Sequence, residues 1–300
     1  TLVDDLGTYA PSYLLGVPRV FEKVYNSARQ SAADGGKGKI FDAAVQTAIE
    51  YSQAQDTGGA GLLLKAKHTL FDKLVYGKLK AALGGNCKVA ISGGAPLGAR
   101  LGHFFRGAGF DLLEGYGLTE SSGVLTVNPT NRAKIGTVGT PIPGVTIRIA
   151  EDGEVLAKAK TLFKGYWRNP EATAAAWTGE WYHTGDIGEL DEDGYLYLTD
   201  RSTFMIVSGG VNIYPQEIEN VLIGHPSVAD VAVFGVPDDD LGQRVMAVVE
   251  LTDPSRAGEA VSAELMSWAR DRLARHKLPR EVIFEPHLPR TDAGKLYKNR

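Results

Sequence analysis

The stretch from Lys88 to Leu113 constrains the fold more than any other part of the chain. It reads KVAIS at 88–92, then PLGARLGHFFRGAG, then FDLL at 110–113. Strand, helix and strand in that length predict a right-handed crossover between two strands of a parallel sheet. The preceding third is mainly helical in pattern. PRVFEKVYNSARQSAA puts Pro18 at a first helical position and Val20, Phe21, Val24, Tyr25 and Ala28 on one face. KIFDAAVQTAIEYSQ repeats the spacing with Ile40, Phe41, Ala44, Val45, Ala48 and Ile49. A polar, glycine-rich loop is expected from Ser52 to Gly61, and a third helix from Leu62 to Ala82. Phe104 and Phe105 are expected in the core.

After Val124 the texture changes. VTIRIA, EVLAKA and GELDEDGYLYLTD alternate in period two, which predicts a small β-rich module over about 124–200. Residues 204–300 then mix strands (FMIVS, VADVAVFGV, RVMAVVEL, EVIF) with helices (PQEIENVLIGH, EAVSAELMSWARDRLARH). The reading therefore divides the chain into a first domain over 1–202 and a second over 203–300.

Composition narrows the function. The 300 residues suffice for two domains, and 43% hydrophobic residues is ordinary for a soluble globular protein. A net charge of −4, with no dense Lys/Arg patch read in the sequence, gives no footprint for nucleic acid. The single cysteine, Cys87, excludes an internal disulfide and fits a reducing, cytoplasmic compartment. No apolar run approaches the roughly 20 residues that span a bilayer. No signal peptide is visible, and the start at Thr1 suggests a part upstream.

Four short motifs carry candidate chemistry. EGYGLTE (114–120) is read as a tight turn just beyond the second strand, where ligands sit in open α/β sheets. Tyr116, flanked by glycines, is able to lie flat on a planar ligand, and Thr119 and Glu120 to hold a phosphate and its Mg²⁺. The plainer alternative is a buried tyrosine, a capping threonine and a solvated glutamate. SGGAP (92–96) offers the backbone of Gly93, Gly94 and Ala95 to a ligand, or is a simple strand-to-helix turn with Pro96 opening the helix. It does not match G-x-G-x-x-G. In YHTGD, Asp186 is able to accept from two ribose hydroxyls or to close an Asx turn. Arg201 could share the same sugar or a phosphate, and is otherwise a surface arginine. Lys295, in PRTDAGKLYKNR, is a solvated charge or a mobile ammonium suited to developing negative charge.

Taken in order, SGGAP, YGLTE, Y-x-TGD, DR, SGG-x-N-I-Y-P-x-E-I-E and P-R-T-x-x-GK resemble the adenylate-forming superfamily of acyl- and aryl-CoA synthetases, luciferases and peptide synthetase adenylation domains. Within it, YLLGVPRVFEKVYNSARQ, FDKLVYGKLKAALGG and the SGGAP-to-EGYGLTESSG stretch look like long-chain fatty acyl-CoA synthetases. The resemblance implies an α/β fold: the carboxyl-terminal part of the large amino-terminal domain, comprising a parallel sheet unit and a β-rich subdomain, then a small α+β domain. It implies that Tyr116 stacks on adenine, Thr119 contacts the α-phosphate and Glu120 binds Mg²⁺. Gly93, Gly94 and Ala95 flank adenine and acyl group, while Asp186 holds the ribose with Arg201 beside it. Lys295 serves acyl-adenylate formation, and Gly209 and Gly210 line the pantetheine path after the second domain rotates. The implied substrates are a fatty acid or other carboxylate, ATP and CoA; peripheral membrane contact through the lipid substrate is compatible with them.

Some features depart from the family pattern. The Gly/Ser/Thr-rich phosphate loop ending T-G-x-P-K is absent, so the expectation is a fragment of a longer synthetase that is inactive alone. Thr203 stands where the hinge carries Asp or Lys. The chain stops five residues after Lys295. GGVNIYPQEIENVL looks more like medium-chain or aryl-CoA ligases. Two other functions stay open: an acyl-AMP ligase that loads a carrier protein, and a non-catalytic nucleotide- or acyl-binding protein.

Overall fold

The computed structural model describes residues 2–201 and 204–290. Two compact units emerge. The first comprises residues 1–145 with 159–163 and 191–196, and the second 146–158, 164–190 and 197–300.

The first unit opens with α1 (Leu2–Tyr9), β1 (Tyr13–Gly16), α2 (Pro18–Asp34) and α3 (Gly38–Asp56). It continues with α4 (Leu62–Phe71), a π-helical turn over Asp72–Tyr76, and α5 (Gly77–Ala82). The expected crossover follows as β2 (Val89–Ser92), α6 (Ala99–Gly107) and β3 (Asp111–Leu118), then β4 (Gly123–Val127) and β5 (Thr140–Pro141). These strands form one sheet in the order β1-β2-β3-β4-β5. β1, β2 and β3 are parallel, with Gly16 opposite Ser92 and Ser92 opposite Glu114. β3 then pairs antiparallel with β4.

Several expectations change here. β1 occupies YLLG, a stretch whose short apolar run carries no alternation to mark it. α3 runs through Asp56 into the expected loop, because Arg106 pins its last turn: Nε donates to Ser52 Oγ at 2.6 Å and Nη2 pairs with Asp56 at 2.5 Å. Helix α6 begins at Ala99 rather than Pro96, since Gly98 at φ +79° breaks the helical path. EGYGL is not a turn. It is strand, because β3 has partners on both sides and changes from parallel pairing with β2 to antiparallel pairing with β4.

The core of this unit gathers Phe21, Phe41, Phe104, Phe105 and Phe110. Tyr25 meets Phe104 edge-on at 5.1 Å, and Phe21 meets Phe105 at 6.0 Å. Phe104 and Phe105 are thus core, as expected. α6 crosses α3 so closely that a Cβ on Gly107 would overlap the carbonyl of Ala48.

From Val145 the chain forms β6 (Val145–Ile149), β7 (Glu154–Ala159), α7 (Pro170–Ala175), β8 (Trp177–Thr178), β9 (Trp181–Leu190) and β10 (Leu196–Arg201). The strand order is β10-β9-β7-β6, with β8 on β9, so the expected β-rich module is present. The last part contains β11 (Ile206–Ser208), β12 (Val211–Ile213), α8 (Pro215–Leu222), β13 (Val228–Asp238), β14 (Gly242–Leu251), α9 (Glu259–Arg270) and β15 (Glu281–Phe284). Its sheet runs β12-β11-β14-β13, with β15 parallel to β14. Helices α8 and α9 cover it through Ile218, Leu222 and Leu265 against Val233 and Val249. Among the described residues no helix is long and apolar enough to cross a membrane.

Candidate functional site

A cleft of about 450 Å³ opens where β1 and β2 end and β3 continues. Leu15, Ile91, Gly93, Gly94, Tyr116 and Thr119 contribute to its lining. This is the position beyond carboxyl strand ends where open α/β sheets hold ligands. Glycine makes the cleft possible. Gly93 donates its N–H to Gly16 O at 3.1 Å, and a Cβ there would come within 3.3 Å of Gly115 O. Tyr116 is only 7% exposed, so its ring forms wall rather than rim.

The next turn is rigid. A Cβ on Gly117 would overlap the carbonyl of Gly123, so only glycine lets β3 approach β4 this closely. Leu118 N–H donates to Ser121 Oγ at 2.9 Å, and that hydroxyl lies 2.6 Å from Gly123 O. Ser122 sits at φ +56°, and its hydroxyl donates to Thr161 O at 2.9 Å. Phe163 N–H closes the turn onto Glu120 O at 2.7 Å. Thr119 is exposed and Glu120 half-buried beside it; Ala95 is exposed in the loop after Gly94. Among the described residues no three His, Cys, Asp or Glu side chains cluster as a metal site. A Mg²⁺ carried on nucleotide phosphates needs only one or two protein carboxylates, a demand that Glu120 fits.

Behind the cleft lies a polar layer that sequence reading passed over. Glu114 Oε1 accepts from Leu97 N–H at 2.9 Å, tying the SGGAP loop to β3. Its main-chain oxygen accepts from Asn128 N–H at 2.9 Å. Desolvation pushes the Glu114 carboxyl up to about 7, while the Leu97 hydrogen bond pulls the other way. Ser92, its register partner, is buried, and its Oγ has no partner among the described residues. No local signal marks them, because pairing with β2 and β4 decides which face of β3 an acid takes.

Asp186 belongs to the second unit. It lies within β9 rather than in a free turn, where β9 bulges against β7 and Gly185 has φ +72°. The bulge is held by Glu154, whose Oε1 accepts from Gly185 N–H at 2.8 Å and whose Oε2 lies 2.7 Å from His183 Nδ1. Asp186 itself is buried. Gly209 and Gly210 form the two-residue turn between β11 and β12, at φ +57° and +78°. Positive φ at both positions is the hairpin geometry that glycine supplies. Gly209 also lines a second cavity of about 800 Å³ with Leu241, Arg270, Arg275 and Arg280. The three arginines form a local cationic cluster despite the net negative chain; their signal stood in ARDRLARHKLPR. Lys295, Thr203 and the side chain of Arg201 lie outside the described residues.

Comparison with known proteins gives two family matches. The profile of the AMP-binding enzyme family matches residues 1–167, and that of the AMP-binding enzyme C-terminal domain matches 217–295. Long-chain-fatty-acid–CoA ligase FadD15 of Mycobacterium bovis is 55% identical over 235 residues, covering 78% of this chain and 39% of its own. The ATP-bound RpMatB-BxBclM chimera B1 superposes with a TM-score of 0.75 at 29% identity, over 99% of this chain and 52% of its own. O-succinylbenzoate CoA synthetase (MenE) of Bacillus subtilis, in complex with ATP and magnesium, gives 0.65 at 33% identity, over 72% and 46%. The chain thus spans about two fifths to one half of the length of these relatives.

Proposed function

The chain belongs to the AMP-binding enzyme family, and on that premise we propose that it is part of an ATP-dependent fatty acyl-CoA synthetase. The observation that carries the proposal is the glycine-walled cleft with Tyr116 in its lining, in a chain 55% identical to a ligase named for long-chain fatty acids. In the first step a carboxylate oxygen attacks the α-phosphorus of ATP and the bond to pyrophosphate breaks. In the second, the sulfur of CoA attacks the acyl carbon and AMP leaves. Neither step needs much covalent help from protein, so positioning and electrostatics supply the rate.

Within this reading Tyr116 carries adenine, and the backbone of Gly93, Gly94 and Ala95 borders adenine and acyl group. Thr119 meets the α-phosphate and Glu120 the Mg²⁺. Asp186 takes the ribose hydroxyls with Arg201 nearby, and Lys295 neutralises the charge that develops in the first step. Gly209 and Gly210 border the pantetheine path, and Arg270, Arg275 and Arg280 suit the phosphates of CoA. The mobile carboxyl-terminal domain begins after residue 202, and the reaction is placed in the cytoplasm. The lipid substrate would bring the enzyme to membranes.

The test is ATP–pyrophosphate exchange, with fatty acids of graded length, on this chain and on a form extended upstream. Because no T-G-x-P-K loop occurs in the chain, fatty-acid-dependent exchange is expected from the extended form alone. Absence of exchange in both forms, with nucleotide still bound, would sink the synthetase reading and leave a binding protein.

A further inference from the structure

In the bulge that carries Asp186, two strands lose step. Glu154 of β7 stands opposite Ile187 of β9 and Leu156 opposite His183, so β9 takes four steps where β7 takes two. The surplus residues interrupt the ladder, and side chains brace it. Both carboxylate oxygens of Glu154 are committed to this: Oε1 accepts from Gly185 N–H at 2.8 Å, and Oε2 faces His183 Nδ1 at 2.7 Å. Thr184 Oγ1 donates to Val155 O at 2.7 Å and accepts from Asp186 N–H at 3.2 Å.

The imidazole is fixed in turn. A carboxylate only accepts, so Nδ1 carries the proton that meets Glu154, and in the neutral ring Nε2 accepts from the Thr178 hydroxyl at 2.8 Å. Carboxylate, imidazole and hydroxyl thus link β7 through β9 to β8. The side chains of Glu154 and His183 are only 16% and 31% exposed, so water competes weakly for these bonds. Gly185 has φ +72°, and glycine has little conformational preference of its own. The direction in which Asp186 leaves the strand therefore depends on what holds the Gly185 amide. A plain ion pair between the strands accounts for Glu154 on His183. It does not account for the second carboxylate oxygen on the amide next to Asp186.

We propose that Glu154, acting through Gly185 and His183, is the positioning residue that aims Asp186 and so sets selectivity for the ribose of the nucleotide. The proposal rests on the synthetase reading, in which Asp186 takes the ribose hydroxyls.

The test is isothermal titration calorimetry on the form extended upstream, comparing ATP with 2′,3′-dideoxy-ATP, both with Mg²⁺. The dideoxy nucleotide keeps adenine and triphosphate and lacks both ribose hydroxyls. The unaltered protein should prefer ATP at least about tenfold, as expected for hydrogen bonds to a charged acceptor. Glu154→Ala should weaken ATP by about that factor and leave the dideoxy nucleotide within about twofold, so that the preference collapses. Glu154→Gln retains an acceptor for Gly185 N–H and should restore most of the preference. His183→Ala removes one of the two anchors and should lower the preference about threefold. It also serves in place of Glu154→Ala if that variant does not fold. Equal weakening of both nucleotides would mean a general structural role, and an unchanged preference in the folded variants would mean that Asp186 needs no aiming; either overturns the proposal. Binding of both nucleotides without preference in the unaltered protein would overturn it too, while leaving the synthetase reading standing. Failure of both to bind the unaltered protein would overturn that reading as well.

Discussion

Glu114 is a carboxyl held in a desolvated layer by one N–H donor, and that combination has a measurable sign. Its folded value is raised from 4.5 to about 7, so the native state binds the proton more tightly than the unfolded chain. The associated stability is fully present below pH 4.5 and is lost as pH rises to about 7. Glu114→Gln keeps an acceptor for Leu97 N–H but does not titrate. The wild type should therefore lose about 3 kcal/mol relative to this variant across that interval, at 1.36 kcal/mol per unit. Urea denaturation of both proteins at several pH values reads the difference, and a flat difference would contradict the desolvated carboxyl. Gly117 is sensitive for a purely steric reason. Gly117→Ala puts a methyl into Gly123 O, and a loss of about 2–4 kcal/mol is expected in the same assay. A neutral substitution would show that the turn yields. The sequence marked Tyr116, Thr119 and Glu120 through their bracketing glycines. It did not mark Glu114, because only pairing with β2 and β4 tells which face of the strand an acid takes.

Elements were legible where periodicity is local and obscure where a partner decides. The crossover of β2, α6 and β3 stands in the spacing of KVAIS, GHFF and FDLL. The end of α3 does not, because Ser52 and Asp56 read as loop residues until Arg106 arrives from α6 to bind them. EGYGL was read as a turn for the same reason: its glycines serve close strand approach, not reversal. The attachment of α4 shows the effect in energetic form. With no buried residue of its own, α4 depends on the ring of His68 against Tyr51 and on its N–H bond to Gly107. His68→Ala removes both and should cost about 1–3 kcal/mol. Amide exchange should then accelerate over residues 62–76 while β2 and β3 stay protected. Acceleration spread evenly over the unit would mean that α4 is not separately anchored.

In the molecule as a whole, the proposed chemistry divides between groups that fix the nucleotide and a lysine that answers to charge. The cleft residues sit on a sheet and a hydrogen-bonded turn, so they are placed before any ligand arrives. Lys295 lies outside the described residues, and its proposed role rests on its motif and on electrostatics. During adenylation negative charge gathers on the attacking carboxylate and the α-phosphate, where an ammonium group stabilises the transition state more than the ground state. During thioesterification the acyl carbon is attacked and AMP departs, with the phosphate charge already localised. Lys295→Ala in a catalytically complete form should therefore slow acyl-AMP formation by about 10²–10³-fold, the usual loss for one electrostatic stabiliser. Transfer from preformed acyl-AMP to CoA should change only a few-fold. Rapid-quench measurement of each half-reaction separates the two. Equal losses in both would assign Lys295 to binding common to the two steps, and a loss confined to the second would place it on the thiol side.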